Sequence, residues 1–130
     1  MPGDVETVTS LPPEAEEFLL WLSVERGRSP ATLDAYRRDL GGFVAYLDRD
    51  DLNLSSVNEQ ALVDYLRSRQ NEGLAPSTVT RSMVAVRSLF RFMNAEGFRD
   101  DDPTALMELP GVPRGLPKAL SEAEVARLIA

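Results

Sequence analysis

Two groups of side chains in this sequence have the types and spacing to hold phosphate. Arg28, Ser29, Thr32 and Arg37 gather around one Ser-Pro step, and Ser77, Thr80, Arg81, Arg87 and Arg91 follow one Ala-Pro step. Arginine presents a planar fork of N–H donors to phosphate or to a guanine edge, and serine and threonine hydroxyls add short-range donors. A helix that opens at such a step also offers its first backbone N–H groups to phosphate oxygens. The second group is unusual for its surroundings. From Ala75 to Gly97 there are three arginines and no acid before Glu96, in a chain of net charge -7. A polyanion-binding face and the solvated side of an ordinary amphipathic helix both fit this pattern.

Other chemistry finds little support. The sequence has no histidine and no cysteine, which removes the commonest general base, the commonest transition-metal ligand, and any disulfide or thiolate chemistry. It has no phosphate loop, dinucleotide fingerprint or serine elbow. Asp100-Asp101-Asp102 and Glu14, Glu16 and Glu17 are read as solvated surface in preference to a metal site. Tyr36, Tyr46 and Tyr65 fall among apolar neighbours and are read as core. The expectation is no catalytic residue, no metal and no cofactor within these 130 residues.

The elements that position the two groups are helices. Val79, Met83, Val86, Phe90 and Met93 recur at alternating steps of four and three, and Ala85, Leu89 and Phe92 widen the stripe. The other side carries Ser77, Thr80, Arg81, Arg87, Ser88 and Arg91, with Val84 as its one apolar member, and is expected to be open. Pro76 suits a first helical turn and Gly97 a left-handed stop. Ser29-Pro30 opens an earlier helix, with Leu33, Tyr36, Leu40, Phe43, Val44 and Leu47 as its stripe through about residue 47. Asp34 and Arg38 are four apart there and are expected to pair. Gly41-Gly42 in mid-helix suggests close approach of another backbone.

Two further helices complete a four-helix core. One follows Leu11-Pro12-Pro13 to about Glu25, with Phe18, Leu19, Trp21 and Leu22 apolar and Gly27 ending it. The other is capped by Asn58 and runs to about Asn71. Short connections favour two packed αα-hairpins in an all-α fold, with a short fifth helix from Pro103 to about Met107 or Glu108. Residues 1–11 read as a disordered tail, 12–109 as the domain and 110–119, rich in Pro and Gly, as a linker. Residues 120–130 begin another helix with the capping box Ser121-Glu122-Ala123-Glu124, as the first helix of a second, truncated domain would. The expectation is an N-terminal piece of a longer protein. Charge is uneven: residues 1–25 sum to -6, 26–95 to +2 and 96–130 to -3. A cationic middle can bind a polyanion locally. The acidic N-terminus and the lack of a long apolar run point to a cytoplasmic protein without a membrane partner.

The order of several short motifs resembles the N-terminal, core-binding (SAM-like) domain of tyrosine recombinases of the Xer type, over about residues 14–130. These are Phe18-Leu19 with Glu25-Arg26-Gly27, then Ser29-Pro30-Ala31-Thr32 with Tyr36-Arg37-Arg38-Asp39-Leu40, and Arg81 with Arg87. Asp102-Pro103-Thr104-Ala105-Leu106 and Leu116-Pro117-Lys118-Ala119-Leu120-Ser121 follow. The resemblance implies a clamp whose second and fourth helices cross near the major groove of double-stranded DNA, closed by a catalytic domain on the other side. It also implies a second recombinase subunit as partner, and strand exchange at a chromosomal site that resolves chromosome dimers. A tyrosine nucleophile with arginine, lysine and histidine would then lie beyond Ala130. Val84 departs from the serine frequent in the family, which leaves contact with a thymine methyl as one role for it. Arg81 is the first choice as base reader. A helical protein-interaction module, docking through the acidic first helix, and the same domain in a phage or transposon integrase are the competing readings.

Overall fold

The computed structural model describes residues 11–109; the tail up to residue 10, the linker and the capping-box helix lie outside them. Four helices follow in order: α1, Pro13–Val24; α2, Pro30–Arg49; α3, Glu59–Asn71; and α4, Pro76–Ala95. No strand occurs among the described residues. Local chemistry sets the boundaries. The Ser29 hydroxyl oxygen accepts from the Thr32 amide at 3.2 Å, and Asn58 Oδ1 from the Ala61 amide at 3.0 Å, each satisfying an N–H that the first turn leaves free. α1, α2 and α4 all carry proline in the first turn, where its missing N–H costs nothing. Gly27 and Gly97 have φ of 62° and 83°, a backbone region that glycine enters without a Cβ clash.

α1 packs on α2 and α3 on α4, as the hairpin arrangement requires, but α4 also packs on α1 and α2. It is the hub of the fold. Phe18, Leu40, Phe43, Leu62, Val86, Leu89, Phe90 and Met93 are fully buried. Aromatic contacts join the elements: Phe18 meets Phe92 at 5.6 Å between ring centres, and Phe43 meets Phe90 edge-on at 6.0 Å. Burying one such ring contributes about 1.5–3 kcal/mol, so these contacts fix how the helices sit.

Several expectations are corrected. The polar side of α4 is only partly open: Ser77 and Arg91 are exposed, but Thr80 and Val84 are each 2% exposed, and Ser82 near them is fully buried. A helix packed on three others buries most of its circumference, which also rules out contact between Val84 and a thymine. The fifth helix is absent, and residues 103–106 form turns. Asp102 Oδ1 accepts from the Thr104 amide at 2.8 Å and its hydroxyl at 2.6 Å, which closes a local turn. Buried Met107 and Leu109 then pin the segment. Leu11, placed in the tail, is buried as well. Near Gly42 the close neighbour is a side chain, with a Cβ there 3.6 Å from Tyr65 Oη.

Candidate nucleic-acid interface

The nine phosphate-holding candidates occupy three environments. At the start of α2, Ser29 and Thr32 bond to each other, hydroxyl to hydroxyl at 3.0 Å, so both serve the cap. Arg28, half-buried, lines a cleft of about 260 Å³ with Arg26 and Arg91, over Phe18, Trp21 and Phe92. The structure thus brings together Arg28, from the connection between α1 and α2, and Arg91 of α4. Arg26 lies over the Trp21 ring, 5.7 Å from its centre, where the ring face attracts a cation.

Arg37 is committed elsewhere. Its two terminal nitrogens bond the two carboxylate oxygens of Glu16, both at 2.8 Å. The guanidinium holds the Glu16 carboxyl below its usual range, and the pairing raises the Arg37 value in turn. Its neighbour Arg38 is exposed, and no ion pair joins it to Asp34 among the described residues, contrary to expectation. Of these two adjacent arginines, the exposed one is Arg38.

At the start of α4, Ser77 is exposed and Thr80 is buried. Arg81 is half-buried and bonds Asp39 of α2 through Nε at 3.2 Å and Nη2 at 3.4 Å. Burial pushes the Asp39 carboxyl up, outweighing the pull of Arg81, Arg38 and Arg69. Sequence reasoning missed Asp39 as part of this site, although it falls three residues after Tyr36 and four before Phe43, on the apolar stripe. An acid there needs a partner. Further along α4, Arg87 donates through Nη2 to the Met107 carbonyl at 2.7 Å and so holds the segment after the helix. Arg91 lies ten residues beyond Arg81, about 15 Å along the axis. Cationic side chains therefore gather at two spots in place of one continuous face: the candidate Arg81 with its exposed neighbour Arg38, and the candidates Arg28 and Arg91 in the cleft that Arg26 and Glu96 also line.

Asp100 and Asp101 of the acidic run are exposed, and two of its acids hold local contacts. Asp101 bonds Arg99 at 2.9 Å and 3.2 Å, Asp102 closes its turn, and no group of three potential metal ligands occurs among the described residues. No helix among them is long and apolar enough to cross a membrane.

The comparisons with known proteins agree with the motif order. Among curated relatives, the tyrosine recombinase XerD of Bradyrhizobium diazoefficiens is 43% identical over 112 residues, which is 86% of this chain and 35% of the relative. XerD of Xanthomonas campestris pv. campestris is 40% identical over 115 residues, 88% of this chain and 36% of the relative. XerD of Brucella suis biovar 1 is 38% identical over 114 residues, 88% and 37% of the two chains. The chain spans about a third of the length of these relatives. All three carry the name XerD, the name expected from the wording of Asp101-Asp102-Pro103-Thr104-Ala105-Leu106 and of Leu116 to Ser121. No solved structure matches the chain with significance. The family model for the phage integrase N-terminal SAM-like domain matches residues 15–97, from within α1 to just past α4, and the chain belongs to that family.

Proposed function

We propose that this domain is the DNA-binding clamp of a site-specific tyrosine recombinase, holding duplex DNA through α2 and α4. The observation that carries the reading is the charge of α4: Arg81, Arg87 and Arg91 with no acid from Pro76 to Ala95, in a chain that is acidic overall. Arg81 and Arg38 form one contact to the backbone of the duplex, and Arg28 and Arg91 a second. Catalysis by the parent protein, strand exchange that resolves chromosome dimers, and pairing with a second Xer-type subunit belong to the same proposal. The reacting tyrosine and its arginine, lysine and histidine neighbours are assigned to sequence beyond residue 130. An integrase of a phage or transposon would use the same clamp on a different target.

The test is duplex binding against salt. With about four phosphates neutralised, the slope of log K against log salt is about -3.6. Arg81→Ala reduces the slope by about one phosphate's share, about 0.9. Binding that ignores salt defeats the reading. One observation favours a second reading, a protein-docking surface: Leu20 and Val24, one turn apart on α1, are 62% and 67% exposed. Stable oligomers captured by crosslinking without DNA favour that alternative.

A further inference from the structure

Asp39 is the acid that the apolar stripe of α2 should not contain. Its side chain is 5% exposed, while that of its partner Arg81 is 29% exposed. The carboxylate grips the guanidinium along its Nε–Nη2 edge, leaving the Nη1 edge for another acceptor. The charged and titratable groups around Asp39 are Arg81 of α4, Arg38 on its own helix, and Arg69 and Tyr65 of α3. Arg69 is held in turn by Glu72 at 3.1 Å. A buried carboxylate thus sits beneath the arginine at the start of α4, and no second acid is among the groups that act on it in the described residues. An arginine free in solvent loses rotamer freedom on meeting phosphate, whereas one already held by a planar acceptor loses less.

We propose that Asp39 is a positioning residue whose buried carboxylate presets the Arg81 guanidinium for a phosphate of the DNA duplex. The proposal rests on the duplex-binding reading above. Asp39 itself touches no DNA. Its removal has two opposed effects: Arg81 is released from its preset orientation, and one negative charge near the phosphate is lost. The first weakens binding and acts only through Arg81; the second strengthens binding and does not need Arg81. Comparison across variants therefore separates them.

The experiment is a double-mutant cycle on the full 130-residue chain, using a mixed-sequence duplex as probe. Anisotropy at about 0.15 M salt damps distant charge effects, and circular dichroism checks that each variant is folded. Asp39→Asn keeps the shape but removes the charge and turns one of the two acceptor oxygens into an NH2 donor, which breaks the two-point grip on Arg81, so affinity falls about three- to tenfold. In the Arg81→Ala background the same substitution leaves affinity unchanged or slightly raises it. A parent-background Asp39→Asn that binds as tightly as the original overturns the proposal. So does an equal loss in both backgrounds, or an Arg81→Ala that changes nothing. Failure of the unsubstituted chain to bind duplex in a salt-dependent way overturns the DNA reading itself, and the proposal with it. Should Asp39→Asn not fold, nitrogen-15 spectra of the original chain decide. An Arg81 Nε–H signal that stays sharp and protected on adding duplex supports the proposal, and one that loses its hydrogen bond to Asp39 overturns it.

Discussion

Arg99 ties together two loops that are distant in sequence. Its Nη1 donates to the Leu54 carbonyl at 3.0 Å and the Val57 carbonyl at 2.8 Å, and its other edge meets Asp101. The guanidinium also lies over the Phe90 ring, 5.5 Å from its centre. Hydrogen bonds from a charged donor contribute about 1.5–3 kcal/mol each. Arg99→Ala is therefore expected to lower the unfolding free energy by about 2–4 kcal/mol, measured by urea titration. Arg99→Lys recovers only part of it, because an ammonium cannot bridge both partners as a planar fork does. The role of Arg99 was illegible in the sequence, where it stands next to three aspartates and reads as surface. Asp39 was missed: its place on an apolar stripe is the signal that an acid there needs a partner, but nothing local names Arg81 as that partner. Arg81 and Arg37 were identified as cations without any sign that carboxylates from other helices would meet them, because those contacts span 42 and 21 residues.

At the scale of the elements, the helix ends follow local rules, and their positions were readable to within a residue or two. Capping by Ser29 and Asn58, proline in the first turn and glycine after the last each act within four residues of the boundary. The number of neighbours a helix has does not. The stripe on α4 announced one buried side, but Thr80, Ser82 and Val84 lie inside because several helices meet there. The glycine pair in α2 carries a prediction at this scale. A methyl group at Gly42 would sit 3.6 Å from the Tyr65 hydroxyl, an ordinary contact, and glycine within a helix costs about 1 kcal/mol relative to alanine. Gly42→Ala is expected to stabilise the domain by about 0.5–1 kcal/mol, seen as a higher urea midpoint with unchanged slope. A loss of stability would mean that α2 needs closer contact with α3 than these distances indicate.

Across the whole molecule, the lack of histidine and cysteine removes the side chains that ordinarily titrate near neutrality. The unfolding free energy is expected to vary by less than about 0.5 kcal/mol between pH 6 and 8, by urea titration at several pH values. In acid, two carboxylates act in opposite directions. Glu16, lowered by Arg37, contributes stability that is present above its unfolded value and lost as pH falls through its folded one. Asp39, raised by burial, contributes stability that is full below its unfolded value and is lost as pH rises through its folded one. Asp39→Asn therefore removes the rising-pH loss and leaves the Glu16 limb intact.

The central place of α4 restricts how this domain can diversify. The helix proposed to meet DNA is also the one every other helix leans on, so its residues answer to two constraints at once. Interior positions such as Val84, Leu89 and Phe90 admit little variation, because a changed volume there disturbs several neighbours together. Latitude is confined to a few outer places, among them Ser77 and Arg91. New DNA targets would then arise through a small set of side chains on an almost unalterable rod.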